Sequence, residues 1–190
     1  MRRAAALALA FVSVATGSAA SREWDVDPDA SEIAFTFEID GSPGAGFFRT
    51  VIGSGRFDPD APEDTRLDIR IPAKGLDLGD AMATSYALSG EWFDAAAHPV
   101  LIYRLARLTP LEGEDRWEAL GDITIKGRTV IVRTPITLTV GAERAEARGS
   151  VEFDRLDFGL GGGLSELVVD IGREVSVAFD LVARPAGAPR

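Results

Sequence analysis

The only histidine of the 190-residue chain, His98, is the first candidate for chemistry. It lies in the stretch EWFDAAAHPV, four residues after Asp94 and directly before Pro99. A catalytic histidine needs a nucleophile and an orienting acid within hydrogen-bond reach. The sequence has no G-x-S-x-G element, which would present a serine nucleophile. The pattern therefore favours a structural or surface histidine, and a hydrolase that uses His98 is the enzymatic alternative.

Three aspartates, Asp25, Asp27 and Asp29, have the spacing that opens a calcium-binding loop. Such a loop requires glycine at its sixth position and glutamate at its twelfth. The chain has Ala30 and Thr36 at those positions. We therefore predict a solvated turn and no metal site.

The glycine-rich run 159–163 is the other stretch that resembles a ligand loop. A dinucleotide-binding fingerprint needs a small residue next, where the chain has Leu164, and a strand–helix–strand context. The run therefore predicts a flexible loop. The chain has no cysteine, one histidine and two methionines, which leaves few ligands for a transition metal or a haem. We expect no cofactor.

The formal net charge of −10 limits the partners of the chain. An acidic surface repels the phosphates of DNA and RNA and the headgroups of anionic lipids. We therefore predict that the protein binds no nucleic acid.

The N-terminal segment has the pattern of a secretory signal peptide. Arg2 and Arg3 precede a short apolar run, and small residues follow at 17–20. We predict a cleaved signal at 1–20, one domain at 21–184 and a flexible tail at 185–190. This predicts a periplasmic or secreted protein. No later apolar run is long enough to span a bilayer, so we expect no stable membrane insertion.

Most of the remaining chain alternates apolar and polar residues with a period of two, which is typical of half-buried antiparallel strands. The pattern predicts eight or nine strands, and only 78–90 has a helical pattern. Strands of this kind bury their apolar faces in a closed barrel or in a sandwich, and the pattern alone leaves both open. The apolar faces include Ile33, Phe35, Phe37 and Ile39; Leu67, Ile69 and Ile71; Trp117, Ile123 and Ile125; Val130, Val132, Ile136, Leu138 and Val140; Ala145, Ala147, Val151 and Phe153; and Val175, Val177, Phe179 and Leu181.

Four stretches, in this order, carry a resemblance to a known family: WDVDPDASEIAF (24–35), SGEWFDAAAHP (89–99), GDITIKG (121–127) with TPITL (134–138), and DRLDFGLG (154–161). The chain resembles the YceI-like family of exported, lipocalin-like barrels that bind polyisoprenoid lipids. One departure is Ala30 before Ser31, where the family often has a histidine. The resemblance implies an all-β fold: a single antiparallel eight-stranded lipocalin-like barrel with one short helical segment.

The resemblance also implies an apolar lumen that holds a long isoprenoid chain, as a quinone or a polyprenyl lipid. Aromatic residues that fill the barrel as a solid core are the alternative. Trp92 and Phe93 then form either a rim of the lumen or a plug at one end. Strand parity and motif positions give the predicted lumen residues, which are Ile33, Phe35, Phe37, Phe57, Leu67, Ile69, Trp92, Phe93, Trp117, Ile123, Val132, Ile136, Leu138, Phe153, Val177 and Phe179.

A lipid phosphate would need a basic partner. The candidates are Arg49, Arg56, Lys74, Lys126 and Arg155. The acidic chain favours a neutral head such as a quinone over a diphosphate. The alternative to a lipid carrier is a non-catalytic interaction protein with a filled core. Its candidate partners are a membrane redox protein or a second copy of the chain.

Overall fold

The computed structural model of the protein describes residues 22–58, 61–163 and 169–188. The predicted signal peptide lies outside these ranges. The strands are β1 (Arg22–Val26), β2 (Glu32–Ile39), β3 (Ser42–Phe48), β4 (Ile52–Phe57), β5 (Arg66–Pro72), β6 (Leu76–Asp77), β7 (Val100–Pro110), β8 (Arg116–Ile125), β9 (Arg128–Val140), β10 (Ala145–Asp154) and β11 (Glu174–Pro185). The helical segments are α1 (Ala81–Ala87) and three 3-10 turns, Pro62–Asp64, Ala73–Gly75 and Arg155–Phe158. None of these helical segments has the length and apolar character that a bilayer crossing requires.

Eight antiparallel strands close into a barrel in the order β1-β4-β5-β7-β8-β9-β10-β11, and β11 pairs back with β1. The other three strands, β2, β3 and β6, extend three of the eight barrel strands after an interruption: β2 extends β1, β3 extends β4 and β6 extends β5. β1 and β2 both pair with β11, β3 pairs with β6, and β4 pairs with β5. This confirms the predicted eight-stranded antiparallel barrel with one short helix.

Tight hairpins set the register of the barrel at two predicted turns. Lys126 and Gly127 join β8 to β9, and both have positive φ (50° and 73°). Asp40 and Gly41 join β2 to β3 in the same way, with φ of 50° and 71°. Positive φ at both central residues is the geometry whose twist matches that of the flanking strands. The paired residues of the two strands of each hairpin therefore point to the same side of the sheet, and every second residue faces the barrel interior.

The break between β1 and β2 is bridged by a side chain. The Ser31 hydroxyl accepts a hydrogen bond from the Val182 N–H at 3.0 Å and donates to the Val182 carbonyl at 3.3 Å. Val182 is only 2% exposed, so its backbone groups have little access to water. The serine therefore replaces the ladder partner that β11 lacks at this position.

Replacement of Ser31 with alanine should lower the free energy of unfolding by about 1–3 kcal/mol, because it leaves a buried N–H without a partner. Urea denaturation checks this. Ser54→Ala, at an exposed position of β4, is the matched control and should change stability by less than about 0.5 kcal/mol. Equal effects of the two substitutions would contradict the bridging role.

Pairing between β9 and β10 covers only part of their length. It runs from Val140–Ala145 to Ile136–Gly149 and stops next to Pro135. Proline has no N–H to donate, so the ladder ends there. The 3-10 turn Arg155–Phe158 follows β10 directly, and Phe158 is fully buried against Phe153 with ring centroids 5.0 Å apart.

The two ends of the barrel differ. The helix end carries α1, the β2–β3 and β8–β9 turns and the 3-10 turn Arg155–Phe158. The far end carries β1 and the β7–β8 and β9–β10 turns. The larger apolar cluster extends to the helix end and includes residues of α1 and of the loop 88–99. A smaller cluster around Leu105, Leu108 and Ala119 lies toward the far end.

Candidate functional site

The interior of the barrel is hollow. A cavity of about 570 Å³ extends along it and is lined by residues of both ends. Packed protein cores contain few voids larger than a water molecule. Binding pockets for small molecules typically measure 300–1,000 Å³. The cavity therefore has the size of a ligand site, and its lining is almost entirely apolar.

Four aromatic rings keep the lumen open by lying flat against the barrel wall. Each ring covers a glycine of a neighbouring strand. A Cβ atom at any of these glycines would lie 2.5–2.7 Å from the ring, so any larger residue would displace it. The rings therefore sit at the wall and leave the axis free. The pairs are Phe35 on Gly46, Phe37 on Gly44, Tyr103 on Gly121 and Phe179 on Gly149.

The structure places most of the predicted lumen residues at the cavity. Trp117 stands apart from that group: its ring packs edge-on against Phe57, with centroids 6.1 Å apart, near the far end. Whether any of these side chains contacts a ligand stays a prediction. The cavity-lining members of the predicted set are Ile33, Phe35, Phe37, Phe57, Leu67, Ile69, Trp92, Phe93, Ile123, Val132, Ile136, Leu138, Phe153, Val177 and Phe179.

Sequence reasoning did not select several lining residues that carry polar atoms. Tyr103 and Thr134 line the cavity, as do Trp24 and Thr65. For two of these residues the strand parity in the sequence already predicts an inward position. Tyr103 lies on the same face of β7 as Leu101 and Leu105, and Thr134 shares the parity of the β9 apolar face. A hydroxyl at an inward position was therefore readable from the pattern.

The loop 88–99 covers the helix end. Trp92 is 8% exposed and lines the cavity. The Phe93 ring packs edge-on against Phe48, with centroids 6.2 Å apart. The indole N–H of Trp92 has no hydrogen-bond partner within the described ranges. Both aromatic side chains therefore lie where the lumen meets the cover of the barrel.

Arg155 connects the segments that cover the helix end through hydrogen bonds. The side chain is 3% exposed and donates to three backbone carbonyls: from Nε to Gly172 at 3.0 Å, from Nη1 to Leu160 at 2.6 Å and from Nη2 to Ile171 at 2.8 Å. Its guanidinium also lies 5.3 Å from the ring centroid of Trp92. A planar group with several fixed donors suits this task. Arg155 therefore joins segments that are distant in sequence.

The five basic head-group candidates are scattered. Arg49 pairs with Asp77 and is largely exposed, and Lys74 is exposed. Lys126 Nζ donates to the carbonyls of Glu91 at 2.9 Å and Gly159 at 3.0 Å.

The other two candidates, Arg56 and Arg155, line the cavity at opposite ends. The five side chains therefore do not form one cluster, and a role in head-group binding stays a prediction for each.

An apolar rim lies between α1 and the β2–β3 hairpin. Ile39 and Tyr86 line the cavity while 37% and 46% exposed, and Ala83 is an exposed lining residue of α1. Met82, on the same helix, is 82% exposed. Exposed apolar side chains beside a cavity are typical of a ligand entrance. The rim therefore marks the helix end as one side at which the lumen meets solvent. At the far end the exposed lining residues are Arg56, Arg66 and Val140.

Burial raises the pKa of Tyr103 to about 12, with a smaller contribution from the charge of Asp122. A phenol in apolar surroundings resists ionisation because the phenolate loses its hydration. Tyr103 is therefore a neutral hydroxyl at any physiological pH.

This raised pKa predicts a loss of stability in alkali. The unfolded tyrosine ionises near pH 10, whereas the folded one ionises near 12, so its stabilising contribution is complete below pH 10 and declines between pH 10 and 12. The decline should be about 1.4 kcal/mol per pH unit. Urea denaturation at pH 8 and pH 11 should show a smaller drop for Tyr103→Phe than for the native chain. The same drop in both would contradict the assignment.

The His98 side chain has no hydrogen-bond or ion-pair partner among the residues that the structure describes. The backbone N–H of this residue donates to the Asp94 carbonyl at 2.7 Å, and its ring packs next to Gly127. The aspartate run 25–29 forms a turn in which the Asp27 carboxylate accepts from the Asp29 N–H at 3.1 Å and pairs with Arg184 at 2.7 Å. Neither feature forms a nucleophile–base pair.

Comparisons with known proteins agree with this geometry. A model of the YceI-like domain matches residues 24–183. BcnA of Burkholderia cenocepacia is 26% identical, with a TM-score of 0.75 over 83% of this chain and 99% of that one. A polyisoprenoid-binding domain from Saccharophagus degradans is 15% identical, with a TM-score of 0.70 over 85% of this chain and 98% of that one.

A YceI protein of Campylobacter jejuni is 16% identical, with a TM-score of 0.64 over 73% of this chain and 83% of that one. A comparison with curated proteins found no match. The family model spans most of the barrel, from Trp24 in β1 to Ala183 in β11. This chain therefore belongs to the YceI-like domain family.

Proposed function

We propose that this protein is a non-catalytic lipid carrier that holds a long isoprenoid chain, part of a quinone or a polyprenyl lipid, inside its barrel. The observation that carries the proposal is the hollow apolar lumen of about 570 Å³. A lumen of this kind binds a prenyl tail by burial alone, at about 25 cal/mol per Å² of apolar surface removed from water. Membership of a family that includes polyisoprenoid-binding domains supports the ligand class.

The shape of the lumen favours a slender ligand. Phe37 and Phe179 lie flat on the wall and leave a channel along the barrel axis. An eight-stranded barrel is wide enough for one small or narrow ligand. A branched, flexible hydrocarbon chain therefore fits better than a broad polycyclic one.

The alternative of an interaction protein with a filled core is less well supported. A filled core would need the inward aromatic side chains to meet across the barrel axis. The glycine-backed rings instead leave a cavity several times larger than the roughly 150 Å³ that stays dry in an engineered apolar cavity. An apolar cavity of this size gains stability when a ligand fills it.

The cellular role follows from the sequence predictions. The signal peptide predicted at 1–20 would send the protein to the periplasm or outside the cell, where free isoprenoid lipids are insoluble. We propose transport, storage or sequestration of such a lipid. The exposed apolar rim around Met82 and Tyr86 offers a surface at which a tail passes between the lumen and a bilayer.

Titration of delipidated protein with prenyl quinones of increasing chain length tests the proposal. Quenching of tryptophan fluorescence reports binding, since Trp92 and Trp24 line the lumen. We expect saturable binding with one ligand per barrel and an affinity that rises with chain length until the lumen is full. Absence of saturable binding for every chain length and for polyprenyl phosphates would contradict the proposal.

A further inference from the structure

The polar atoms of the lumen are unevenly distributed. Four lining residues carry a hydroxyl: Thr65 toward the far end, Tyr86 at the rim, where it donates to Glu91 at 3.3 Å, Tyr103 in β7 and Thr134 in β9. The Thr65 hydroxyl and the Trp24 indole N–H, both toward the far end, are buried without a hydrogen-bond partner within the described ranges. Thr134 is only 4% exposed, yet neither its hydroxyl nor that of Tyr103 is hydrogen-bonded to any residue that the structure describes. Buried polar groups nearly always have a partner, so an unpaired one calls for a ligand or a water molecule.

The strand register brings these two hydroxyls to the same part of the lumen. The Tyr103 ring lies over Gly121, and its hydroxyl oxygen is 2.6 Å from the position that a Gly121 Cβ would occupy. Ala119, two residues along the same strand, is the direct partner of Thr134. Gly121 and Thr134 are therefore diagonal neighbours on one face, about 7–8 Å apart. One small group inside the lumen can reach both hydroxyls.

The groups around the Tyr103 and Thr134 hydroxyls favour a ligand with an uncharged hydrogen-bond acceptor. Both hydroxyls are neutral, and the pKa of Tyr103 lies far above physiological pH, so the phenol keeps the proton that it donates. A phosphate placed here would be buried without a counter-ion, which is strongly unfavourable. Arg56 and Arg66 line the cavity at the far end, but both are exposed, and Arg66 donates to the Glu63 and Thr65 carbonyls at 3.0 and 2.8 Å.

The helix-end half of the lumen is suited to the tail. Its walls consist of side chains such as Phe37, Leu78 and Val175, and the opening is lined by Ile39 and Tyr86. Among the described residues, the buried donor without a partner in this half is the indole N–H of Trp92, which lies at the cover of the barrel. A ligand with one polar head therefore gains most when its head reaches the hydroxyl pair and its tail points to the rim.

We propose that Tyr103 and Thr134 form a head-group subsite that hydrogen-bonds a carbonyl oxygen of the lipid, so that the ligand enters head first. This inference rests on the proposed lipid-binding function and names its ligand class: a prenylated ring or chain with a neutral carbonyl. The Trp92 N–H is the competing donor for the opposite orientation.

Matched ligands test the subsite. A prenylated 1,4-benzoquinone and the prenylated benzene without carbonyls carry the same tail, and their dissociation constants are measured for the native protein, Tyr103→Phe, Thr134→Val and Trp92→Phe. Both hydroxyl variants preserve the shape of the side chain, and Tyr103→Phe keeps the ring on Gly121. We expect each to weaken quinone binding about 3- to 10-fold and to leave hydrocarbon binding unchanged. Trp92→Phe should preserve the quinone preference.

The outcomes separate this inference from the function on which it rests. If the quinone and the hydrocarbon bind equally well to the native protein, or if only Trp92→Phe removes the preference, the subsite is wrong while lipid binding stands. If a prenyl diphosphate binds more tightly than the quinone, the neutral-head assignment is wrong. If none of the three ligands binds, both the subsite and the lipid-carrier function are contradicted.

Discussion

Replacement of Arg155 with alanine should lower the free energy of unfolding by about 3–5 kcal/mol, the largest stability effect that the structure predicts for a substitution of one charged residue. The guanidinium donates to the carbonyls of Leu160, Ile171 and Gly172, all at 3.0 Å or less. Its removal leaves three carbonyls without these donors and a void beside Trp92. Chemical denaturation, monitored by circular dichroism, measures the loss.

Arg133→Ala is the matched control for this effect. Arg133 pairs with Glu118 at 3.1 Å, but its side chain is 66% exposed, so the pair should contribute less than about 1 kcal/mol. Arg155→Lys should fall between the two, because an ammonium keeps the charge but lacks the planar set of donors. Similar losses for Arg155→Ala and Arg133→Ala would show that the buried arginine does not hold the helix end together.

Replacement of Gly44 with alanine should reduce the affinity for a long isoprenoid at least about tenfold, since a loss of 1.4 kcal/mol corresponds to that factor. A Cβ at Gly44 would lie 2.7 Å from two atoms of the Phe37 ring. The ring must move off the wall, and the space open to it is the lumen near the rim. Titration with a prenyl quinone measures the effect.

A second substitution shows whether the ring causes the loss. Phe37→Leu in the Gly44→Ala background removes the ring and should restore most of the affinity. Gly90→Ala is the control, because a Cβ there meets nothing closer than 3.9 Å and should leave binding unchanged. Failure of the double variant to regain binding would indicate that Gly44 acts through the backbone and not through Phe37.

Much of the barrel follows from strand parity. The alternation in the β2 segment predicts that Ile33, Phe35 and Phe37 share one face, and the structure places all three at the cavity. The reason is physical: a strand with one apolar face has a single favourable orientation in a closed barrel. The helical pattern of 78–90 likewise contains α1, whose N-cap is Asp80.

The hollow interior could not be read from local sequence. It depends on which glycine faces which ring, and these pairs join different strands. Gly149 faces Phe179 across the β10–β11 ladder, thirty residues away in sequence. Counting aromatic residues alone therefore favours a filled barrel over a hollow one.

The role of Arg155 was hidden for the same reason. Its partners lie on backbone that returns to the barrel after the 3-10 turn, and nothing in the pattern around Arg155 reports their position. The sequence predicts Arg155 as a candidate for a lipid phosphate, which stays a prediction, and the structure adds its hydrogen bonds to backbone carbonyls. Trp117 is a second example. Strand parity predicts the face of β8 on which its side chain lies, but its packing near the far end of the barrel depends on contact with Phe57 from another strand.

Native mass spectrometry of the protein purified from its own host, followed by organic extraction, tests the central claim most directly. The account predicts a bound species that the extraction identifies as an isoprenoid, with a neutral carbonyl-bearing head. Repeated preparations without a bound lipid, together with no uptake of added prenyl quinones or polyprenyl phosphates, would contradict the claim that this barrel carries an isoprenoid.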